Sequence, residues 1–447
     1  MNFERDRLGY AFEDDYPESY DPGDLHRLRA ILAHQVARLG SAGPDVDTRL
    51  VGVLMGRRCA NHNTRPQIEI RDRRDGTVSL LARGEVLVPA ADAAAIRQYF
   101  AGYDELHPRH TGRRTGYLRF RPAPAAPSDQ DRKIDECAAA GVTAWPNYLA
   151  TMAPVSKGLG SPEPVAPPSG LDRSGGAAIT VAVIDTGIAA AERTDPWLRV
   201  ERTGGNTDEL DALPAGPDGL LDYAAGHGTF VSGIVQRVAP QARIRMYRAA
   251  DTDGFATDND IAAAILQAHD DGAQIINLSL GFRTADDAPP PAIADAVATV
   301  QAESGGETVI VAAAGNFGDR SVVYPAALPG VEAVAGLTAH LTPAGWSSYG
   351  DAVAFSTVAE GVRSTYVSGR ESPVFDPAPD TFPIAGSDEP WALWTGTSFA
   401  APQIAGAVAR ISYVEGIAPR EAVRKLAEYG KPINGFGKAM RILKGID

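Results

Sequence analysis

Two rhythms of apolar positions divide the chain. From residue 177 onward, short apolar runs alternate with stretches of helical spacing. ITVAVIDTG, ARIRMYRA, QIINLSLG and TVIVAAAGN read as buried strands. HGTFVSGIVQRVA, NDIAAAILQAHDDG and AIADAVATVQAESG read as helices. Such alternation predicts a parallel sheet with helices on both faces. In such a sheet, ligands bind beyond the carboxyl ends of the strands.

The first part is patterned differently. DLHRLRAILAHQVARLG (24–40) places Leu25, Leu28, Leu32, Val36 and Leu39 at helical spacing. TRLVGVLMG, QIEIRD, TVSLLARGEVLVP and TGYLRFRP read as strands, AADAAAIRQYFAGY and RKIDECAAAG as helices, and VTAWPNYL as a last strand. VSKGLGSPEPVAPPSGLDRSGG (155–176) is rich in Gly, Pro and Ser, has no periodicity, and reads as a linker. The expected organisation is an acidic arm (1–22), a small α+β domain (23–154), the linker (155–176) and an α/β domain (177–447).

Charge sharpens this division. The 447 residues hold 42 Lys+Arg and 56 Asp+Glu, a net −14. Residues 1–150 take 21 and 21 of these, leaving 21 against 35 for the rest. An acidic main body repels phosphates, which argues against a nucleic-acid partner. Arg57, Arg58, Arg71, Arg73 and Arg74 are interleaved with acids and read as a solvated face. Two cysteines, Cys59 and Cys137, make no disulfide framework. The chain has no apolar run of membrane-spanning length, about 18 residues, and starts on a charged stretch. The expectation is a cytoplasmic protein with no membrane partner.

Candidate chemistry collects where strands end and helices begin. Asp185 closes one strand, and Ser279, Leu280 and Gly281 another. Ala313, Ala314, Gly315 and Asn316 close a third, while His227 and Ser398 open helices. Each alone is ordinary, since Asp-Thr-Gly is a turn and Ser398 could simply cap its helix. Together they form a set. A serine hydroxyl needs an adjacent base to act as a nucleophile. Histidine suits that task near neutral pH, and an aspartate can hold its tautomer. An asparagine amide can meet the oxyanion of an attacked carbonyl.

The segments VAVIDTGI, GHGTFVSGIV, INLSLG, VAAAGN and GTSFAAPQIAG, in that order, resemble the subtilisin-like serine proteases. The resemblance covers about residues 177–447. It implies Ser398 as nucleophile, His227 as general base, Asp185 as orienting acid and Asn316 as oxyanion donor. It also implies that Ser279, Leu280 and Gly281 pair with substrate backbone, and that Ala313, Ala314 and Gly315 wall the pocket for the residue before the scissile bond. An extended protein or peptide is then the substrate, cut by an intracellular endopeptidase with no cofactor required for chemistry. The family also allows a structural calcium ion, with no ligands assignable here. DTDGFATDND (251–260) does not follow the EF-hand spacing, and Asp258 reads as the cap of its own helix.

The sequence departs from the family pattern at Phe230, where many members have histidine, and at Glu360, where a proline is usual. The stretch 366–394, rich in Pro, Asp and aromatics, is expected as a surface loop near the site. IDECAAAGVTAWPNYLATM is similar to the end of the family's propeptides, making Tyr148, Leu149, Ala150, Thr151 and Met152 candidates to occupy the cleft. The first domain is then an intramolecular inhibitor or a module that recruits a partner. A second reading of the whole is a catalytically silent scaffold that works by binding.

Overall fold

The computed structural model describes residues 27–30, 32–33, 35–36, 48–59, 65–110, 112–113, 115–123, 129–152, 161–168, 170–171, 175–176, 179–203, 205–376 and 378–443. The acidic arm lies outside these residues.

The first domain is built on β1 (Ile68–Asp72), β2 (Val78–Pro89), β3 (Tyr103–Leu106), β4 (Tyr117–Pro122) and β5 (Trp145–Thr151). Helices α1 (Thr48–Cys59) and α2 (Gln130–Ala139) accompany them. TRLVGVLMG is therefore helical, not a strand. Leu50 and Leu54 stand one turn apart and pack with Ile68, Ala82 and Leu149, so tertiary burial overrides the β-branched residues of the segment. The strand order is β3-β4-β2-β5, with β1 on the edge of β2.

The second domain carries β7 (Thr180–Asp185), β8 (Arg243–Arg248), β10 (Ile275–Leu278), β11 (Val309–Ala313), β12 (Val331–Leu337), β13 (Val353–Val358), β18 (Lys431–Ile433) and β19 (Gly437–Ala439). They form one sheet in the order β18-β19-β13-β12-β11-β10-β7-β8. All neighbours run parallel except β18 and β19. Val181 and Val183 face a core with α3 (His227–Val238) and α6 (Ala401–Glu415). Ala182 and Ile184 face the opposite core with α4 (Asp258–Asp270) and α5 (Pro291–Glu303). The period-2 alternation of a strand buried on both faces thus produces the three layers. Helix α7 (Pro419–Tyr429) packs against α6.

Three findings revise the reading of single segments. Part of the 155–176 stretch is structured: β6 (Glu163–Val165) pairs with β17 (Trp391–Trp394), which in turn pairs with β14 (Val362–Thr365). Asp258 does not cap α4, because Thr257 does so by accepting from Asp260 N. The Asp258 carboxylate instead accepts from Ala292 N and Ile293 N at the start of α5. The helical residues near 27–36 join the main-body core through Leu28, Leu32 and Val36.

The β6–β17 pair carries a titrating group. Burial, then a hydrogen bond to Asp380 and the charges of Asp380, Glu371 and Asp376, push the Glu163 carboxyl up to about 8 from 4.5. The folded chain therefore holds this proton more tightly than the unfolded one. Stability is greatest below the unfolded value and is lost as pH rises from 4.5 toward about 8. Glu163→Gln should flatten the fall in melting temperature between these limits. An unchanged slope would place the lost protons elsewhere.

Candidate active site

The carboxyl ends of β7, β10 and β11 bring the predicted residues to one edge of the sheet. Asp185, the last residue of β7, is fully buried, as is His227 at the first turn of α3. His227 Nδ1 lies 2.8 Å from Asp185 Oδ1, which also accepts from Thr186 N at 2.7 Å. Such a pair fixes Nδ1 as the protonated nitrogen and leaves Nε2 to act as the base. Nε2 is buried and has no hydrogen-bond partner among the described residues.

Glycines make this approach possible. Gly226 has φ of 78°, in the left-handed region, and caps α3 just before His227. A Cβ on Gly228 would stand 2.2 Å from Gly187 O, so only glycine lets α3 rest on the Asp-Thr-Gly turn.

The resemblance did not point to Asp208, yet it holds both sides of this contact. Its carboxylate accepts from Gly226 N at 2.9 Å and Thr186 Oγ1 at 3.0 Å. Gly228 N in turn donates to Thr186 Oγ1 at 3.1 Å. Burial pushes the Asp208 carboxyl above its usual range, and these donors work against that. Nothing in NTDEL marks this residue in the sequence.

Aromatic rings enclose the imidazole. Trp394 and Phe399 lie 5.5 and 5.4 Å from it by ring centroid. Phe230 packs on the same two rings at 5.6 and 4.7 Å. The departure from histidine at this position therefore supplies an apolar wall. In such a medium, the attraction between a carboxylate and an imidazolium is stronger than in water. Glu360, the other departure, accepts from Trp346 Nε1 at 2.8 Å.

Ser398 sits in a single 3-10 turn (Thr397–Phe399) that leads into α6. Thr397 fixes Asn316. Its N–H and hydroxyl both donate to Asn316 Oδ1, at 2.8 and 2.7 Å. That commits the amide oxygen and turns Nδ2 toward Gly396, where an added Cβ would be 3.4 Å away. Ser279 Oγ donates to Ser398 O at 2.7 Å, tying β10's end to the same turn. Gly315 N donates to Thr397 Oγ1 at 3.2 Å, while Ala313 and Ala314 before it are buried, Ala314 among Ala335 and Leu337.

The cleft holds the chain's own backbone. β5 runs antiparallel to β9 (Phe255–Thr257), with Leu149, Ala150 and Thr151 opposite Thr257, Ala256 and Phe255. Its end also pairs with Gly281: Gly281 N donates to Thr151 O at 3.1 Å and Thr151 N to Gly281 O at 3.4 Å. Met152 N donates to Gly254 O at 2.9 Å. The Ser398 hydroxyl donates to Met152 O at 2.8 Å. Tyr148 to Met152 are therefore the added strand, with Tyr148 packed on Phe282.

The first domain is also held by charge. The Arg58 guanidinium is fully buried, donating to both Asp253 oxygens at 2.6 Å and to Asp251 at 3.1 Å. Arg119 reaches Asp260 at 2.9 Å, and Arg109 pairs with Asp251. Arg57 pairs with Asp222 at 3.1 Å, and Arg73 with Asp287. Arg57, Arg58 and Arg73 are not a solvated face: they meet the acidic excess of the second domain. Of the acids in 251–260, Asp251, Asp253 and Asp260 are thus engaged by arginines. Among the described residues, no group of three or more His, Cys, Asp or Glu is arranged to hold a metal ion.

Comparison with known proteins agrees with this geometry. The model of the subtilase family matches residues 176–428, more than half of the chain. Fervidolysin of Fervidobacterium pennivorans is 31% identical over 276 residues, 58% of this chain and 38% of that protein. Subtilisin BL of Lederbergia lenta is 31% identical over 245 residues, 53% of this chain and 77% of its own. The crystal structure of fervidolysin, a keratinolytic enzyme related to subtilisin, gives a TM-score of 0.57 at 20% identity, over 82% of this chain and 60% of that one. The chain thus spans less than two thirds of fervidolysin, and the likeness of the two structures is one of fold. With the family's motifs on one sheet edge and its model covering residues 176–428, the chain belongs to the subtilase family and has its subtilisin-like α/β fold.

Proposed function

We propose that the chain is a serine endopeptidase held closed by its own N-terminal domain. In the open state His227 Nε2 takes the Ser398 proton as Oγ attacks the scissile carbonyl carbon. The Asn316 amide donates to the oxyanion, and Asp185 stabilises the imidazolium. His227 then returns the proton to the leaving amine, which departs and leaves an acyl-enzyme. Water, activated in the same way, releases the acid. These side chains balance the reaction without a cofactor.

One observation carries the inhibitory part. Tyr148–Met152 add a strand between β9 and Gly281, as an extended substrate would, and the Met152 carbonyl takes the Ser398 hydroxyl. Inhibition is therefore favoured over recruitment. A cleft closed this way suits limited cleavage of a dedicated protein or peptide. Cytoplasmic residence is part of the proposal; a chain with only two cysteines, Cys59 and Cys137, suits it, and cell fractionation tests it.

A fluorophosphonate probe separates an enzyme from a binding module. The proposal expects one adduct on Ser398, slow in the intact chain and fast once the 153–160 segment is cut. No adduct in either form would favour the silent scaffold. In the opened chain, Asn316→Ala should lower kcat by about 10²–10³-fold with KM little changed, the scale of the matching change in subtilisin. A loss confined to KM would move Asn316 from oxyanion donor to substrate binder.

A further inference from the structure

Beside His227 lies a hollow that the bond-breaking groups do not explain. It opens between Leu221–Ala224 and the insertion, whose hairpin is β15 (Gly369–Arg370) and β16 (Thr381–Phe382). Its walls are aromatic and acidic together: Tyr366, Phe375 and Trp394 alternate with Asp222, Glu371 and Asp376. His227, whose buried Nε2 has no partner among the described residues, also lines it.

The position of the base tells which part of a substrate comes here. His227, which hands the proton to the leaving amine, lines the hollow, so the residues after the scissile bond face it. Ser161 and Pro162 form part of the wall, and Ser161 Oγ donates to Asp376 Oδ2 at 2.9 Å.

The present neighbour of the hollow shows the chemistry that suits it. The Arg57 guanidinium, from the first domain, lies 3.1 Å from Asp222 Oδ1 and 5.4 Å from the centroid of Phe375. It also donates to Leu213 O. A cation is thus held between a carboxylate and a ring face, the arrangement that favours guanidinium and ammonium groups. When the first domain leaves, Arg57 goes with it and these two walls are open.

We propose that this hollow is the subsite for an arginine or lysine side chain on the leaving-group side of the scissile bond, two of whose lining residues, Asp222 and Phe375, are contacted by Arg57 while the chain is closed. The aromatic walls would cover the methylene stem and the carboxylates would meet the charge. The inference rests on the endopeptidase reading.

The test uses the purified chain, opened by limited proteolysis between residues 152 and 161. Internally quenched peptides share one sequence up to the cut and carry Arg, Lys, Ala or Glu at each of the first three positions after it. Arg or Lys at one of those positions should raise kcat/KM over Ala by about tenfold, the effect of one modest charge-assisted contact. Glu there should lower it. Glu371→Gln and Asp376→Asn should each shrink the Arg-to-Ala ratio. If all peptides are cut alike by the wild type, the subsite assignment falls while the peptidase reading stands. If none is cut and no phosphonate adduct forms, both fall. The wild-type comparison decides the matter even if a variant does not fold.

Discussion

Ser398→Ala is expected to lower kcat on an extended peptide by about 10⁶-fold in the opened chain, the scale found when the serine of subtilisin is removed. The change should leave the fold almost untouched. Among the described residues, the one proton of Ser398 Oγ has two acceptors in reach, Met152 O and Ser279 O at 2.8 and 3.1 Å. Its loss costs about 1 kcal/mol. Hydrolysis of a chromogenic peptide, with melting temperature measured in parallel, checks both halves. A loss of only a few fold would remove Ser398 from the role of nucleophile. His227→Ala should cost about as much, and the double variant little more, because the two groups act as a unit.

Arg58→Ala is expected to open the intact chain. Arg58 is the most enclosed of the arginines that join the domains, and removing it strands Asp253 in a buried site, while Asp251 keeps Arg109. Breaking a buried ion pair from one side costs about 3–5 kcal/mol. The initial rate of peptide hydrolysis by uncut chain should therefore rise by about 10²-fold or more, at about 1.4 kcal/mol per tenfold. Adding Asp253→Asn should return part of this loss of closure, since the stranded charge is then smaller. Additive effects in that cycle would mean that the two residues act separately. High salt should speed the wild type less than Arg58→Ala does, because buried pairs are poorly screened.

On the proposed reading, the closed chain already holds most contacts of the reactive site. The Asp185–His227 bond, the Thr397 hold on Asn316 and the Asp208 bonds to Gly226 and Thr186 involve no residue of the first domain. What the first domain occupies is the strand position between β9 and Gly281 and the hydroxyl of Ser398. Removing the tail would free that hydroxyl for Nε2 without rebuilding the site.

The residues of this edge were legible because local motifs encode them. Asp-Thr-Gly, His-Gly-Thr, Ala-Gly-Asn and Gly-Thr-Ser each need small residues beside the reactive group, so they leave a trace in the sequence. The three-layer core was legible because strands buried on both faces are apolar without interruption. Other features depend on contacts far apart in the chain. Arg58 is buried by acids 193 and 195 residues away. α1 is a helix because Leu54 is covered by β1, β2 and β5, which TRLVGVLMG alone does not reveal. β6 exists only because β17 offers it an edge. Asp258 serves the helix that starts 33 residues later. The unequal charge of the two parts was visible, and it is the trace of their interface.

The central claim is that Ser398 acts on peptide bonds and that the chain's own tail lies where a substrate would. Intact masses of the wild type and Ser398→Ala, recorded over a long incubation, test it most directly. The account predicts that the wild type alone divides into two fragments with the break between about residues 145 and 176. Division of both proteins, or of neither, would contradict it.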